Sequence, residues 1–282
     1  MRHPTRWGLR LLQHWNEGQA QPAAAHPSSV WAATGRPAPK LKRLERDTDT
    51  DVVVIGGGLT GLNAAREVTA RGEACIVIDA ADAGWGASGR NGGFGVLRYK
   101  NSWAGIAAQH GDETAGRLYR RLIEAVDLIE ANVTDYGIEC GFRRSEHLTA
   151  ATSETKYRAL QDDVEWVRRV ANDSVPRVAS RDEVREMTGS GLYTGGYVDP
   201  RTVEIHPLDY CRGLTEGLLG RGVEIYGDTP ALALHAGRGA EGVRVETPSG
   251  TIRAKKALVC TNGYTSLQPL GLDLHKRILS IF

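Results

Sequence analysis

A chain of 282 residues can bury a substantial core and has room for one large domain or two smaller ones. Its 35 Lys and Arg almost balance 34 Asp and Glu, and the formal net charge of +1 argues against a nucleic-acid partner, which would favour a basic stripe. No apolar run reaches transmembrane length. The four cysteines (Cys75, Cys140, Cys211, Cys260) contain no Cys-x-x-Cys pair and the eight histidines no His-x-x-x-His, so reduced thiols in a cytoplasmic protein are expected, with no disulfide frame and no metal site.

Residues 1–50 are rich in Ala, Pro and Arg and lack a sustained period. Arg2, Arg6 and Arg10, with no acid in the first sixteen residues, carry some of the character of a mitochondrial presequence. Scarce serine and the acid at Glu17 favour instead an extended arm packed on the domain surface, with Trp31 against it. At Asp51 the texture changes. "DVVVIGGGLTGLNAAREVTARGEACIVIDA" reads as a strand (52–56), a glycine turn, a helix (about 59–70) closed by Gly72, and a second strand (75–79). Both strands are apolar throughout, as in a parallel sheet covered on both faces.

An amphipathic helix follows over about 113–136, with Leu118, Leu122, Val126, Ile129 and Val133 on one stripe and Gly137 at its end. Residues 143–152 have strand character, 154–172 read as another helix, and 173–203 mix turns with short strands. Pro207 opens a helix to about Leu219, with His206 at the capping position. "GVEIYG" is a strand, and "ALALHA", "VRVETP" and "GTIRAKKALVCTNG" form a three-stranded meander. The closing "LDLHKRILSIF" stops inside an apolar stretch, which suggests a fold that continues past residue 282.

Glycine accounts for 34 of the 282 residues, an excess that points to loops needing special dihedrals or close backbone approach. Gly56-Gly57-Gly58-Leu59-Thr60-Gly61 fits G-x-G-x-x-G between a strand and a helix. Gly56 permits the tight turn, Gly58 lets a pyrophosphate reach the amides at the helix start around Leu59 and Thr60, and Gly61 lets helix and strand pack closely. Asp79 closes the second strand, where its carboxylate suits ribose hydroxyls and repels a 2′-phosphate, favouring NAD or FAD over NADP.

A second glycine-rich loop, "GWGASGRNGGF" (84–94), decides between those two, since NAD binding has no use for it. It resembles the flavin-contacting loop of the FAD-dependent amine and amino-acid oxidoreductases, the D-amino acid oxidase-like (glycine oxidase/sarcosine oxidase) superfamily. The closest likeness is to the branch with gamma-glutamylputrescine oxidoreductases, whose members share "GASGRNGG". "GVEIYGDTPALAL" and "KKALVCTNGYT" resemble two further cofactor segments of that family, with Cys260 where Ala is common.

The resemblance implies an α/β fold: a Rossmann-type FAD-binding domain with a β-meander, plus a partial α+β substrate domain. The implied layout is an arm over 1–50, FAD-binding segments over 51–137 and 204–268, and substrate-domain segments over 138–203 and from 269. Asp79 and Ala80 would serve the ribose, and Ser88, Gly89 and Arg90 the pyrophosphate. Asn91, Gly92 and Gly93 would lay bare backbone beside the isoalloxazine, Ala231 would meet the adenine through its main chain, and Thr261, Asn262 and Gly263 would lie near the cofactor.

The implied activity is oxidation of an amine or amino acid at its C–N bond by hydride transfer to flavin, with hydrolysis of the imine and reoxidation by oxygen or another acceptor. No catalytic residue is assignable. Arg143, Arg144 and His147 are substrate-site candidates by location only, with a solvated strand edge the stronger account, and His206 reads as a helix cap. Two other readings stand beside this one: a truncated, non-catalytic FAD- or ADP-binding fragment, and an NAD-dependent dehydrogenase.

Overall fold

The computed structural model describes residues 26–237 and 242–267. The arginine-rich start and the apolar end singled out above fall outside them. The described residues divide into two compact units, one of those before 92, 136–138 and those from 207 onward, the other of 92–135 and 139–206.

In the first unit the arm carries a short helix α1 (Val30–Thr34), capped by the Ser29 hydroxyl. The arm is then tied down along its length. The Arg36 amide donates to Asp209 Oδ1 at 2.7 Å, and the buried Leu44 donates its amide to Thr229 Oγ1 at 3.2 Å.

Strand β1 (Thr48–Ile55) runs through the middle of a six-stranded sheet. On one side lie β2 (Cys75–Ile78) and β7 (Glu224–Tyr226), on the other β10 (Gly250–Val259), and the β7–β2, β2–β1 and β1–β10 pairs are all parallel. β9 (Val243–Thr247) and β8 (Ala233–Ala236) extend the sheet antiparallel, as the expected meander. All four residues of β2 are buried, as are Val52–Ile55 of β1, because both faces of this central pair are covered.

β1 starts earlier than its apolar run. Thr48, Asp49 and Thr50 pair with Ile252, Arg253 and Ala254, so a remote partner makes strand of a polar stretch. One layer of core joins Val53, Ile55, Ile76 and Ile78 to Leu44, Ala231, Val245, Ile252 and Ala254. Each fully buried aliphatic side chain here contributes roughly 1.5–3 kcal/mol. Helix α2 (Leu59–Ala70) buries Gly61, Leu62 and Ala65 and packs on β1, β2 and helix α7 (Pro207–Gly220).

The second unit is organised around β6 (Gly195–Glu204). β4 (Arg143–Ala151) pairs antiparallel along it, and β3 (Phe94–Gly95) and β5 (Arg177–Ala179) pair at its two ends. The sequence suggested only short strands and turns in this region. Two features hid the longer strand: Gly195-Gly196 at its start, and Pro200, which a bulge accommodates where the β4 register shifts between Ser145 and His147.

Helices α3 (Trp103–His110), α4 (Asp112–Tyr136), α5 (Glu154–Val170) and α6 (Arg181–Thr188) pack around this sheet. The stripe of α4 turns Val126 onto Leu97 and Val203, which is why residues 92–135 fold with this unit although the sequence grouped them with residues before 92. Trp103 stacks on Trp166 at 5.9 Å and meets Tyr119 edge-on at 5.0 Å. No helix among the described residues is long and apolar enough to cross a membrane.

Candidate dinucleotide site

At the carboxyl end of β1 the chain must turn sharply into α2. Gly56 does this with φ at 113°, and a Cβ there would lie 2.7 Å from the Cys260 carbonyl oxygen. That region of dihedral space strains any L side chain, and the contact is with backbone that has no room to yield. A Cβ on Gly61 would run into the Gly56 carbonyl oxygen, so the first turn of the helix lies hard against the strand end. Gly58 caps α2 with no side-chain bond, and the first turn carries no acid. No acid of the helix itself offsets the positive end of its dipole, which suits an anion.

Ser88, from the second glycine loop, approaches this same helix start. Its Oγ accepts the Leu59 amide at 3.0 Å, and a Cβ on Gly58 would sit 2.7 Å from it. With its acceptor side so used, the Ser88 hydroxyl proton remains to donate to an incoming anion.

At the end of β2, the two carboxylate oxygens of Asp79 accept the Gly57 amide at 2.6 Å and the Ala81 amide at 2.9 Å. Burial nonetheless pushes the Asp79 carboxyl up from 3.8 to about 6, the two amides and nearby Asp82 being smaller influences. Further donors, such as ribose hydroxyls, would favour its ionised form. The Thr229 amide donates to the Asp79 carbonyl at 2.8 Å, which brings the segment leading to the buried Ala231 alongside. Ala80 directly follows Asp79, half-buried.

The third segment follows β10. The Cys260 amide donates to the Ile55 carbonyl at 2.8 Å, which sets Thr261, Asn262 and Gly263 at the same strand ends as the Gly56 turn. Asn262 takes a positive φ of 46° and opens a short 3-10 helix (Asn262–Leu267).

Within the second loop, Gly89 and Arg90 close a 3-10 turn over Ala87–Gly89. The Asn91 side-chain amide donates to the Ala87 and Ser88 carbonyls at 3.3 and 2.8 Å. Arg90 is engaged locally. Its guanidinium lies over the Trp85 ring, 5.0 Å from the centroid, and donates to the Gly86 carbonyl and to Tyr264 Oη. Gly92 and Gly93 fall in the second unit, where the Gly93 carbonyl accepts the Ile205 amide at 2.9 Å.

The substrate candidates are placed as follows. Arg143 pairs with Glu204, and Arg144 with Asp127 and Glu130, all ion pairs of a solvated face. His147 is half-buried, and burial followed by the Arg98 charge lowers its pKa, with Asp199 pulling the other way. The His206 amide donates to the Cys140 carbonyl at 2.7 Å. Burial pushes the Cys75 thiol to about 11 and the Cys211 thiol to about 12, so neither supplies a thiolate.

Trp85 and Tyr264 were given no role in the site by the sequence reading. Aromatic residues beside glycine turns carry no periodic signal, and Arg90 and Tyr264 are separated by 174 positions.

Parallel strands ending in a bare glycine turn, a helix start free of acid and a strand-end carboxylate define a dinucleotide-binding protein of the Rossmann class. The family comparison is more specific. Residues 51–281 match the FAD dependent oxidoreductase (DAO) family, and the chain belongs to that family. It is 29% identical over 239 residues to the gamma-glutamylputrescine oxidoreductase of Escherichia coli, covering 85% of this chain and 55% of the relative. It is 34% identical over 225 residues to a probable oxidoreductase OrdL of Rhizobium meliloti, covering 78% and 51%. Among solved structures, glycine oxidase from Geobacillus kaustophilus superposes with a TM-score of 0.62 at 19% identity, over 79% of this chain and 57% of that one. An L-amino acid deaminase from Proteus vulgaris gives a TM-score of 0.69 at 15% identity, over 82% and 58%. These likenesses bear out the expected fold. The chain spans about half the length of the curated relatives it matches.

FAD is the cofactor of this family, and the described residues fit it. Gly56, Gly58 and Gly61 leave no room for a Cβ, Ser88 keeps a proton to donate at the helix start, and the Asp79 carboxyl lies where donors would favour its charge.

Proposed function

We propose that the protein oxidises the C–N bond of an amine or amino acid to an imine, which water hydrolyses to a carbonyl compound. Bound FAD supplies the acceptor for the two electrons, with oxygen or another acceptor as their final destination. The observation that carries this reading is the convergence of the Gly56–Gly61 turn, Asp79, Ser88 and the Thr261–Gly263 turn within one unit of a DAO-family chain.

The proposed roles follow from the chemistry of each group. Gly56, Gly58, Leu59, Thr60 and Gly61 offer backbone to the pyrophosphate, joined by Ser88 and Gly89. Asp79 and Ala80 receive the ribose, and Ala231 the adenine. Asn91, Gly92 and Gly93, with Thr261, Asn262 and Gly263, present bare backbone to the flavin. The unit built on β6 is proposed as the start of the substrate domain, where the neutral amine is oriented and kept from water; orientation accounts for much of the rate in such reactions. Names among the relatives support an amine or amino acid as substrate, since one is a gamma-glutamylputrescine oxidoreductase and another a glycine oxidase.

The test is to load the protein with FAD, exclude oxygen, and offer a panel of primary amines, secondary amines and amino acids. Bleaching of the flavin absorbance by at least one of them is expected. If none bleaches it while dithionite does, the substrate class is wrong.

A further inference from the structure

Two side chains of one loop and a third 174 residues beyond Arg90 close on one another beside the proposed FAD site. The Arg90 guanidinium lies over the Trp85 ring at 5.0 Å and donates to Tyr264 Oη at 3.3 Å and, through Nε, to the Gly86 carbonyl at 3.2 Å. Trp85 and Tyr264 face each other at 6.2 Å with their rings inclined by 57°. Trp85 and Arg90 bracket the turn that presents Ser88, and Tyr264 follows directly on the Thr261–Gly263 turn. The glycine-rich loop and the turn after β10 are thereby joined by one cation–aromatic cluster.

A backbone surface made of glycine is costly to order, because each such residue surrenders more conformational freedom than any other. Asn91 secures the loop from within through the Ala87 and Ser88 carbonyls. Arg90 and Trp85 carry the loop onto Tyr264, and so onto the turn after β10. With its face on an indole and two of its nitrogens on oxygen acceptors, the Arg90 guanidinium has the geometry of a fastener rather than of a charge held out to phosphate.

We propose that Tyr264 is a positioning residue: acting through Arg90 and Trp85, it braces residues 84–91 against the turn after β10, so that the backbone offered to the flavin is formed before the cofactor arrives. This rests on the reading of these segments as the FAD site.

The test uses the 282-residue chain with the variants Tyr264→Phe, Arg90→Ala, Arg90→Lys and the double variant Tyr264→Phe/Arg90→Ala. In protein freed of cofactor, hydrogen exchange is followed at the Gly89 and Arg90 amides, which donate to the Gly86 and Ala87 carbonyls. The brace predicts exchange faster by about tenfold in Tyr264→Phe and in Arg90→Ala, the loss of one charge-assisted hydrogen bond being of that order. FAD should dissociate more readily by a similar factor, and ADP, which meets the Ser88 turn but lacks the flavin, should weaken less and with little dependence on salt. Arg90→Lys should behave like Arg90→Ala, because an ammonium keeps the charge and loses the two-point grip. The double variant should be no worse than either single one.

The proposal is overturned if loop exchange is unchanged in Tyr264→Phe, or if the two penalties add. It is equally overturned if Arg90→Ala weakens FAD and ADP alike, steeply with salt, while Arg90→Lys restores both; Arg90 would then be a phosphate counter-charge. A wild-type chain that takes up no FAD would count against the assignment of the site, and the cofactor-free exchange would still judge the brace.

Discussion

At the scale of single residues, Asp79 carries the most specific consequence. Its carboxyl is raised from 3.8 to about 6 by burial, so the folded cofactor-free protein holds this proton more tightly than the unfolded chain does. The associated stability is present in full below 3.8 and is lost as the pH rises through about 6. FAD should reverse the preference, since ribose hydroxyls donate to the ionised form. Binding should therefore release a proton and tighten as pH climbs through about 6, and titration of FAD across that range reads this directly. Asp79→Asn should flatten the profile and weaken binding at every pH, because its amide nitrogen cannot accept either backbone N–H now bound there.

Gly61 makes a second prediction at this scale. Gly61→Ala drives a methyl into the Gly56 carbonyl oxygen, both held by backbone. An overpacked site of this kind costs roughly 1–3 kcal/mol, to be seen as a lower denaturation midpoint together with weakened FAD binding.

Among the elements, α3, α5 and the loop after β3 are held by a buried charge pair. Asp163 is fully buried, bonds Arg98 at 2.9 Å and also accepts the Ala104 amide at 3.3 Å. Arg98 in turn lies over the Tyr197 ring at 4.6 Å. Asp163→Ala leaves the guanidinium without its counter-charge and should cost about 3–5 kcal/mol, measured by urea unfolding. The double change Asp163→Leu/Arg98→Met should recover much of that loss, because a buried ion pair broken on one side is worse than an apolar pair. At the start of α6, Ser180 and Glu183 form a reciprocal capping box, and Ser180→Ala should cost about 1 kcal/mol in the same experiment.

Legibility in the sequence varies by element. The β1–α2–β2 stretch is visible because its pattern is local: two apolar runs, a glycine turn and a helical period adjoin one another. The Gly137 terminus and the meander are legible for the same reason. β6 is not, since its glycines and proline contradict strand propensity and only its partners on both edges make it a strand. The loop over residues 84–94 is legible as a cofactor loop from its resemblance and its lack of side chains. What Arg90 does within it is not, because Tyr264 lies 174 residues away.

For the molecule as a whole, most of the residues proposed to hold the cofactor belong to the first unit. FAD at a hundredfold its dissociation constant should stabilise the first unit by about 2.7 kcal/mol. Hydrogen exchange with and without FAD should show added protection in β1, α2 and β10, the elements that carry the proposed site. What the sequence by itself determined is the class of backbone turn, its cofactor and its family, because a glycine requirement and a periodic apolar pattern belong to neighbouring residues. Tertiary structure alone decided that polar Thr48–Thr50 pair with β10, that α4 packs with β6, and that Arg90 leans on Trp85 and Tyr264. The reason is physical: strand partners, buried charges and side-chain clusters are selected by closing the chain over long separations, and no local pattern records which of the available partners will win.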